Sequence, residues 1–102
     1  MESPPPVLPA HPGEVLKTEY LERLGISPGD LASEIGIPDS RMQEIIVGRR
    51  AVSADTAIRL AERLGTTPEF WVKLQANYDI ALVSHTWRKR PPTQPKLPRR
   101  RR

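Results

Sequence analysis

The residues of this chain whose types and spacing favour recognition of a partner lie between Ser27 and Arg50. This segment, SPGDLASEIGIPDSRMQEIIVGRR, predicts two short helices joined by a tight turn. Ser27 can cap the first helix, and Gly36 can end it because glycine tolerates a positive φ. A helix-turn-helix unit of this kind places its second helix in the major groove of DNA, where each base pair displays a distinct pattern of donors and acceptors.

The second helix of this unit, from about residue 38 to residue 47, divides into an apolar face and a polar face. Met42, Ile45 and Ile46 are predicted to turn inward, whereas the free face is polar. We therefore expect the base-reading side chains among Asp39, Ser40, Arg41, Gln43 and Glu44. The alternative is an ordinary helical hairpin in a small bundle, which the small and apolar residues at the helix crossing and the closing Gly-Arg-Arg disfavour.

Residue types that could carry catalysis or bind a metal are few and scattered. The chain has no cysteine, which excludes disulfides and thiolate chemistry. His11 and His85 lack any metal-ligand spacing, and neither a nucleophile motif nor a phosphate-binding glycine loop is present. We therefore expect no enzyme, no cofactor and no metal site. Phe70, Trp71 and Tyr78 could line a ligand pocket, but their helical spacing favours packing in the core or in a dimer.

Proline content divides the chain into three parts. Five prolines lie between Pro4 and Pro12 and four between Pro91 and Pro98, which predicts disordered ends that bury little apolar surface. We expect a Pro-rich arm at residues 1–10 and a basic tail at residues 88–102. Between them, residues 11–87 have the length of one domain, for which we predict a helix-turn-helix DNA-binding domain with a C-terminal dimerisation helix.

Charge is unevenly distributed along the chain. The first 87 residues hold eight of the 16 basic residues and all 12 acidic ones, a net charge of −4, whereas residues 88–102 hold eight basic residues and no acidic one. A basic tail can contact nucleic acid, and the alternative is a solvated end without a specific partner. No apolar run is long enough to span a membrane and the start lacks a signal pattern, so we expect a cytoplasmic protein.

Capping residues and apolar periodicity predict five helices and an all-α fold. The first helix follows His11 and ends at Gly25, and the next two form the unit described above. The fourth begins after Ser53, and its buried stripe is expected to comprise Ala57, Ile58, Ala61 and Leu64. The fifth begins after Thr67 and carries the aromatic residues.

Three segments of the chain carry a resemblance to a known family. They are HPGEVL at 11–16, RAVSADTA at 50–57, and TPEFWVKLQ at 67–75, which is followed by Asn77-Tyr78-Asp79. With the reading helix third of five, they resemble the HigA family of antitoxins, also called VapI-like, which carry an Xre-type domain of the lambda-repressor-like fold. The resemblance covers about residues 11–83. It implies an antitoxin that neutralises a RelE-like, HigB-type ribonuclease toxin and represses its own operon by binding operator DNA as a homodimer.

The resemblance also implies roles for particular residues of the DNA-binding unit. Its base-reading positions fall on Asp39, Ser40, Gln43 and Glu44. Pro28 stands where such domains often carry a phosphate-binding glutamine, so the phosphate contacts are expected from other groups. These are the backbone N–H groups of Gly29 and Asp30 and the side chains of Arg49 and Arg50.

The last helix is expected to form the dimer interface, because its apolar residues exceed what a small five-helix core encloses. The candidates are Trp71, Leu74, Gln75, Tyr78 and Val83. Two other functions remain open at this point. One is a stand-alone Xre-type transcriptional regulator without a toxin. The other is a toxin-masking module whose acidic reading helix has lost DNA binding.

Overall fold

The computed structural model describes residues 8–88, and this part of the chain is built from five helices without a strand. Helix α1 spans residues 12–24, with α-helical ends at Pro12–Val15 and Glu22–Leu24 and a π-helical middle at Leu16–Leu21. The other helices are α2 (Pro28–Ile35), α3 (Asp39–Ile46), α4 (Ala54–Leu64) and α5 (Pro68–Arg88). The all-α prediction is confirmed. Residues 1–7 of the predicted arm and 89–102 of the predicted tail lie outside the described residues.

The predicted starts of α2 and α5 are confirmed by side-chain caps. Ser27 Oγ accepts a hydrogen bond from the Asp30 N–H at 3.0 Å, at the start of α2. Thr67 Oγ1 accepts from the Phe70 N–H at 3.1 Å, at the start of α5. Each cap satisfies one of the backbone donors that a first helical turn leaves without a partner. A polar side chain therefore marks the start of these two helices, whereas α3 begins after Pro38 without a side-chain cap.

The core lies where α2 and α3 meet the inner faces of α1, α4 and α5. Its largest fully buried side chains include Leu16, Met42, Leu60 and Trp71. The prediction that Ile58 belongs to the buried stripe of α4 is wrong, since this residue is 51% exposed. The buried face of α4 is centred on Ala57, Leu60 and Ala61, and Ile58 lies about 100° from Ala57 around the helix.

Helix α1 contacts α3 backbone to backbone at Gly13. A Cβ atom on this buried glycine would overlap the main-chain carbonyl group of Ile45. Only glycine fits this crossing, so α1 supports the C-terminal half of α3 directly. Between residues 8 and 88, none of the helices combines the length and apolar character needed to cross a membrane.

Candidate nucleic-acid interface

Helix α3 packs against the body through one face and presents the opposite face to solvent. Met42 and Ile45 are essentially inaccessible and fix the inner face. Four of the predicted base-reading residues are exposed and lie within about 140° of each other around the helix, which makes them one polar surface: Asp39, Ser40, Gln43 and Glu44. Arg41 lies at the edge of this surface and is half-buried.

The turn between α2 and α3 sets the relative position of the two helices. Gly36 ends α2 with φ of 80°, a left-handed conformation that few residues other than glycine adopt. Ile37 then enters the core with 6% of its surface exposed. The two helix starts lie side by side, because a Cβ on Gly29 would be 3.3 Å from Oδ1 of Asp39. The helix-turn-helix geometry expected from the spacing is therefore present.

Asp30, one of the predicted phosphate contacts, already uses its N–H within the chain. This N–H donates to Ser27 Oγ in the α2 cap. Its side chain carries a negative charge, which a phosphate repels. The neighbouring Gly29 is half-buried beside Asp39, and its N–H remains a candidate donor.

The segment after α3 carries the two arginines that were predicted to bind phosphates. Both are exposed, but their environments differ. Arg50 Nε donates to Glu44 Oε1 at 2.7 Å, which joins a predicted phosphate-binding residue to a predicted base-reading residue. Within residues 8–88, the side chain of Arg49 makes no hydrogen bond or ion pair. Arg49 is therefore free to meet an anion.

Two arginines of α4 contact the last turn of α2. Arg59 donates from Nη1 to the carbonyl oxygen of Ile35 at 2.7 Å, which satisfies a carbonyl in the last turn of α2. Arg63 donates from Nε to Glu34 Oε1 at 2.5 Å. These two contacts tie the last turn of α2 to α4.

His11 lies buried behind the end of α3. Its Nδ1 accepts from the Gly13 N–H at 2.9 Å and caps α1, and its ring meets that of Tyr78 edge-on at 5.0 Å. Burial lowers the pKa of His11 below its ordinary value of 6.5, and the negative charge of Asp79 opposes this shift. The side chain joins α1 to α5 at a point that the sequence left without a role.

Two of the five predicted dimer residues lie inside the chain. Trp71 is fully buried and Gln75 is 7% exposed, so neither can contact a second copy, and their assignment to the interface is wrong. Leu74 and Tyr78 are half-buried against the body. Val83 is 52% exposed and remains a candidate.

The far half of α5 exposes further apolar side chains that the sequence reasoning did not include. Ile80 is 63% exposed, Trp87 48% and Leu82 40%. Ile80, Val83 and Trp87 lie on the side of α5 that points away from Trp71, because they are rotated from it by about 180°, 120° and 160° around the helix. The spacing of Ile80, Val83 and Trp87 places them in one stripe of the helix, but only the packing of α5 shows that this stripe faces solvent.

The described geometry defines a helix-turn-helix domain, and comparison with known proteins agrees. The Helix-turn-helix family matches residues 18–71. The chain is 40% identical to Virulence-associated protein I of Dichelobacter nodosus over 73 residues, which are 72% of this chain and 68% of that protein. It is also 40% identical to Antitoxin HigA-1 of Vibrio cholerae serotype O1 over 72 residues, 71% of this chain and 68% of that protein.

Solved structures of one antitoxin share the fold. The structure of antitoxin GraA has a TM-score of 0.77 and 38% identity, and the match covers 79% of this chain and 87% of that one. A structure of GraA in complex with its operator has a TM-score of 0.72 and 34% identity, with 95% of this chain and all of that chain covered. The chain therefore belongs to the helix-turn-helix family, in the Xre-type group that includes HigA antitoxins and VapI-like proteins.

Proposed function

We propose that this chain is an antitoxin that represses its own operon by binding operator DNA as a homodimer and neutralises a RelE-like ribonuclease toxin. The observation that carries the DNA-binding part is the exposed polar face of α3, which is followed two residues later by Arg49 and Arg50. The relative HigA-1 is named an antitoxin, and GraA was solved with its operator. These names support the transfer of both activities to this chain.

In this proposal α3 enters the major groove with its polar face toward the bases. Arg41 reads guanine, because a guanidinium group can donate two hydrogen bonds to O6 and N7 of that base. Ser40 and Gln43 contact neighbouring bases, and Asp39 accepts from the N4 amino group of cytosine. The Gly29 N–H and the Arg49 side chain meet phosphates on either side of the groove.

The dimer is proposed to form through the outer face of α5. Ile80, Val83 and Trp87 are separated by three and four residues, so they form one exposed apolar stripe. Monomeric soluble proteins rarely expose a continuous apolar surface without a use for it. Two-fold symmetry through α5 would present two copies of α3 to half-sites about one helical turn, ~34–36 Å, apart.

The basic tail is proposed to act as an electrostatic arm. Residues 1–87 carry a net charge of −4, which slows the approach to DNA, and the eight basic residues from 88 onward supply the opposite charge. The arm would raise the affinity for any DNA without adding sequence preference. Deletion of residues 91–102 should therefore weaken operator and random DNA by similar factors, and loss of toxin neutralisation without this effect would instead assign the tail to the toxin.

The toxin-binding part is tested by co-expression with the neighbouring open reading frame. We expect the neighbour to encode a basic RelE-like protein that stops growth when it is expressed alone. Co-expression of this chain should restore growth, and the two proteins should be recovered together in a pull-down. DNA binding without such a partner would favour the stand-alone regulator. Toxin binding without promoter binding would favour a module that only masks the toxin.

A further inference from the structure

We propose that Glu44 does not read a base but is a positioning residue that aims the guanidinium group of Arg50 at the DNA backbone. The inference rests on the proposed function, since it assigns roles within the same interface. It also resolves a conflict, because a carboxylate on a DNA-facing helix would by itself be repelled by the phosphates.

The end of α3 brings Arg50 back beside Glu44. Gly48 adopts φ of 80°, and the N–H of Arg49 donates to the carbonyl oxygen of Glu44 at 2.8 Å. This is the left-handed glycine end that reverses the chain over the last helical turn. The backbone leading into Arg50 is thus fixed against the residue that contacts its side chain.

The segment is also fixed beyond Arg50. The N–H of Val52 donates to Oε1 of Gln75 on α5 at 2.9 Å, and Val52 itself is buried. Nε2 of Gln75 in turn donates to Asp79 at 3.0 Å. With anchors at Arg49 and Val52, the backbone of Arg50 has little freedom, and the direction of its long side chain is set by Glu44.

The ion pair leaves the outer part of the guanidinium group available. Glu44 accepts from Nε at 2.7 Å, whereas the two Nη groups carry the remaining four N–H donors. The side chains of Arg50 and Glu44 are 50% and 47% exposed, so the pair sits at the surface beside α3. A phosphate can therefore be bound by the Nη groups without breaking the ion pair.

Four variants of the full chain test the roles: Glu44→Ala, Glu44→Gln, Arg50→Ala and the Glu44→Ala/Arg50→Ala double variant. Binding to a promoter fragment and to a scrambled duplex is measured across salt concentrations. An exposed ion pair contributes little to stability, so all four should fold, which circular dichroism checks. Glu62→Ala, which removes an exposed acid on α4, is the matched control for lost negative charge.

We expect Glu44→Ala to weaken binding although it removes a negative charge, and to lower the magnitude of the salt slope by up to about 0.9, the value for one phosphate contact. The Glu44→Gln variant should keep most of the affinity, since a glutamine oxygen can still accept from Nε. In the Arg50→Ala background the Glu44→Ala change should have no further weakening effect. Two further variants, Arg49→Ala and Glu44→Ala/Arg49→Ala, serve for comparison, because loss of Arg49 should lower the slope whether or not Glu44 is present.

Three results would overturn the inference. Tighter binding by Glu44→Ala would show a carboxylate that only repels DNA. A loss confined to one base pair of each half-site would show a base-reading residue. If Glu44→Ala lowers the DNA affinity equally in the wild-type and Arg50→Ala backgrounds, the two side chains do not act together. If the wild-type chain itself does not bind its promoter, the proposed function fails first and the inference falls with it.

Discussion

The amide of Val52 and the side chain of Gln75 join the segment after α3 to α5 through a 2.9 Å hydrogen bond across 23 positions of the sequence. Both residues are buried, so the loop that carries Arg49 and Arg50 is fixed to the helix proposed to form the dimer. In the proposed dimer, this bond would link the position of Arg49 and Arg50 to the interface on α5.

Replacement of Gln75 by alanine tests the stabilising effect of this hydrogen bond. The change leaves the buried Val52 N–H without a partner, which should lower the free energy of unfolding by about 1–3 kcal/mol. Asn77→Ala is the matched control, because Asn77 is an exposed amide on the same helix. Urea unfolding gives the free energy of unfolding of both variants. Equal values would argue against a structural role for the Gln75 hydrogen bond.

Replacement of Gly13 by alanine should be more disruptive. The added Cβ meets the main chain of Ile45, which cannot move without displacing α3, so we expect at least the ~1–3 kcal/mol typical of overpacking. Gly29→Ala is the control, since its Cβ would be 3.3 Å from a carboxylate oxygen of Asp39 that can rotate away. Thermal unfolding should show a large loss for the first variant and none, or a gain, for the second. Similar melting temperatures would contradict the close approach.

The buried His11 predicts a pH dependence of stability. Burial lowers its pKa from 6.5, so the unfolded chain takes up the proton at higher pH than the folded chain does. The stabilising contribution is complete above pH 6.5 and is lost as the pH falls through the lowered folded value. In His11→Asn, where an amide oxygen can still cap α1, the free energy of unfolding should fall less between about pH 7 and 5. If the free energy of unfolding of the wild-type chain and of His11→Asn changes with pH in parallel, His11 is not the source of the pH dependence.

Arg41 is predicted to be the strongest sequence-specific contact of α3. Arg41→Ala should cost roughly 1–3 kcal/mol on the operator and relax the preference at one base pair of each half-site. Lys73→Ala removes a charge from α5 at an exposed position and should leave the preference unchanged. Competition with scrambled operator separates the outcomes. An equal drop for both DNAs would show that Arg41 meets a phosphate.

The apolar surface of α5 is tested by Val83→Asp. A charge placed among Ile80, Val83 and Trp87 should convert the proposed dimer to a monomer at tens of micromolar, as measured by sedimentation. Ile58→Asp is the control, because Ile58 is equally exposed (51% against 52%) but belongs to α4. A dimer that survives Val83→Asp and is lost in Ile58→Asp would move the interface to α4.

Local signals in the sequence were sufficient for the helices. A hydroxyl at Ser27, Ser53 or Thr67 starts a helix, and a glycine at position 36 or 65 ends one, because these effects act over a few residues. The π-helical turn at Leu16–Leu21 has no such local signal and was not predicted.

Contacts between distant segments could not be predicted from the sequence. Periodicity showed that α5 carries apolar residues, but it could not show that Trp71 and Gln75 are buried in the core whereas Ile80 is exposed. Likewise, the polar face of α3 was correctly placed, yet the pairing of Glu44 with Arg50 depends on the turn at Gly48. Such pairings follow from the three-dimensional path of the chain.

Recognition of a specific DNA sequence by α3 is tested by measuring how tightly the full chain binds its own promoter. Fluorescence anisotropy at fixed, near-physiological salt would compare a labelled promoter fragment with a scrambled duplex of the same length and composition. We expect the promoter to be bound at least about 10³-fold more tightly than the scrambled duplex. Equal affinities for the two duplexes, or no binding to either, would contradict it.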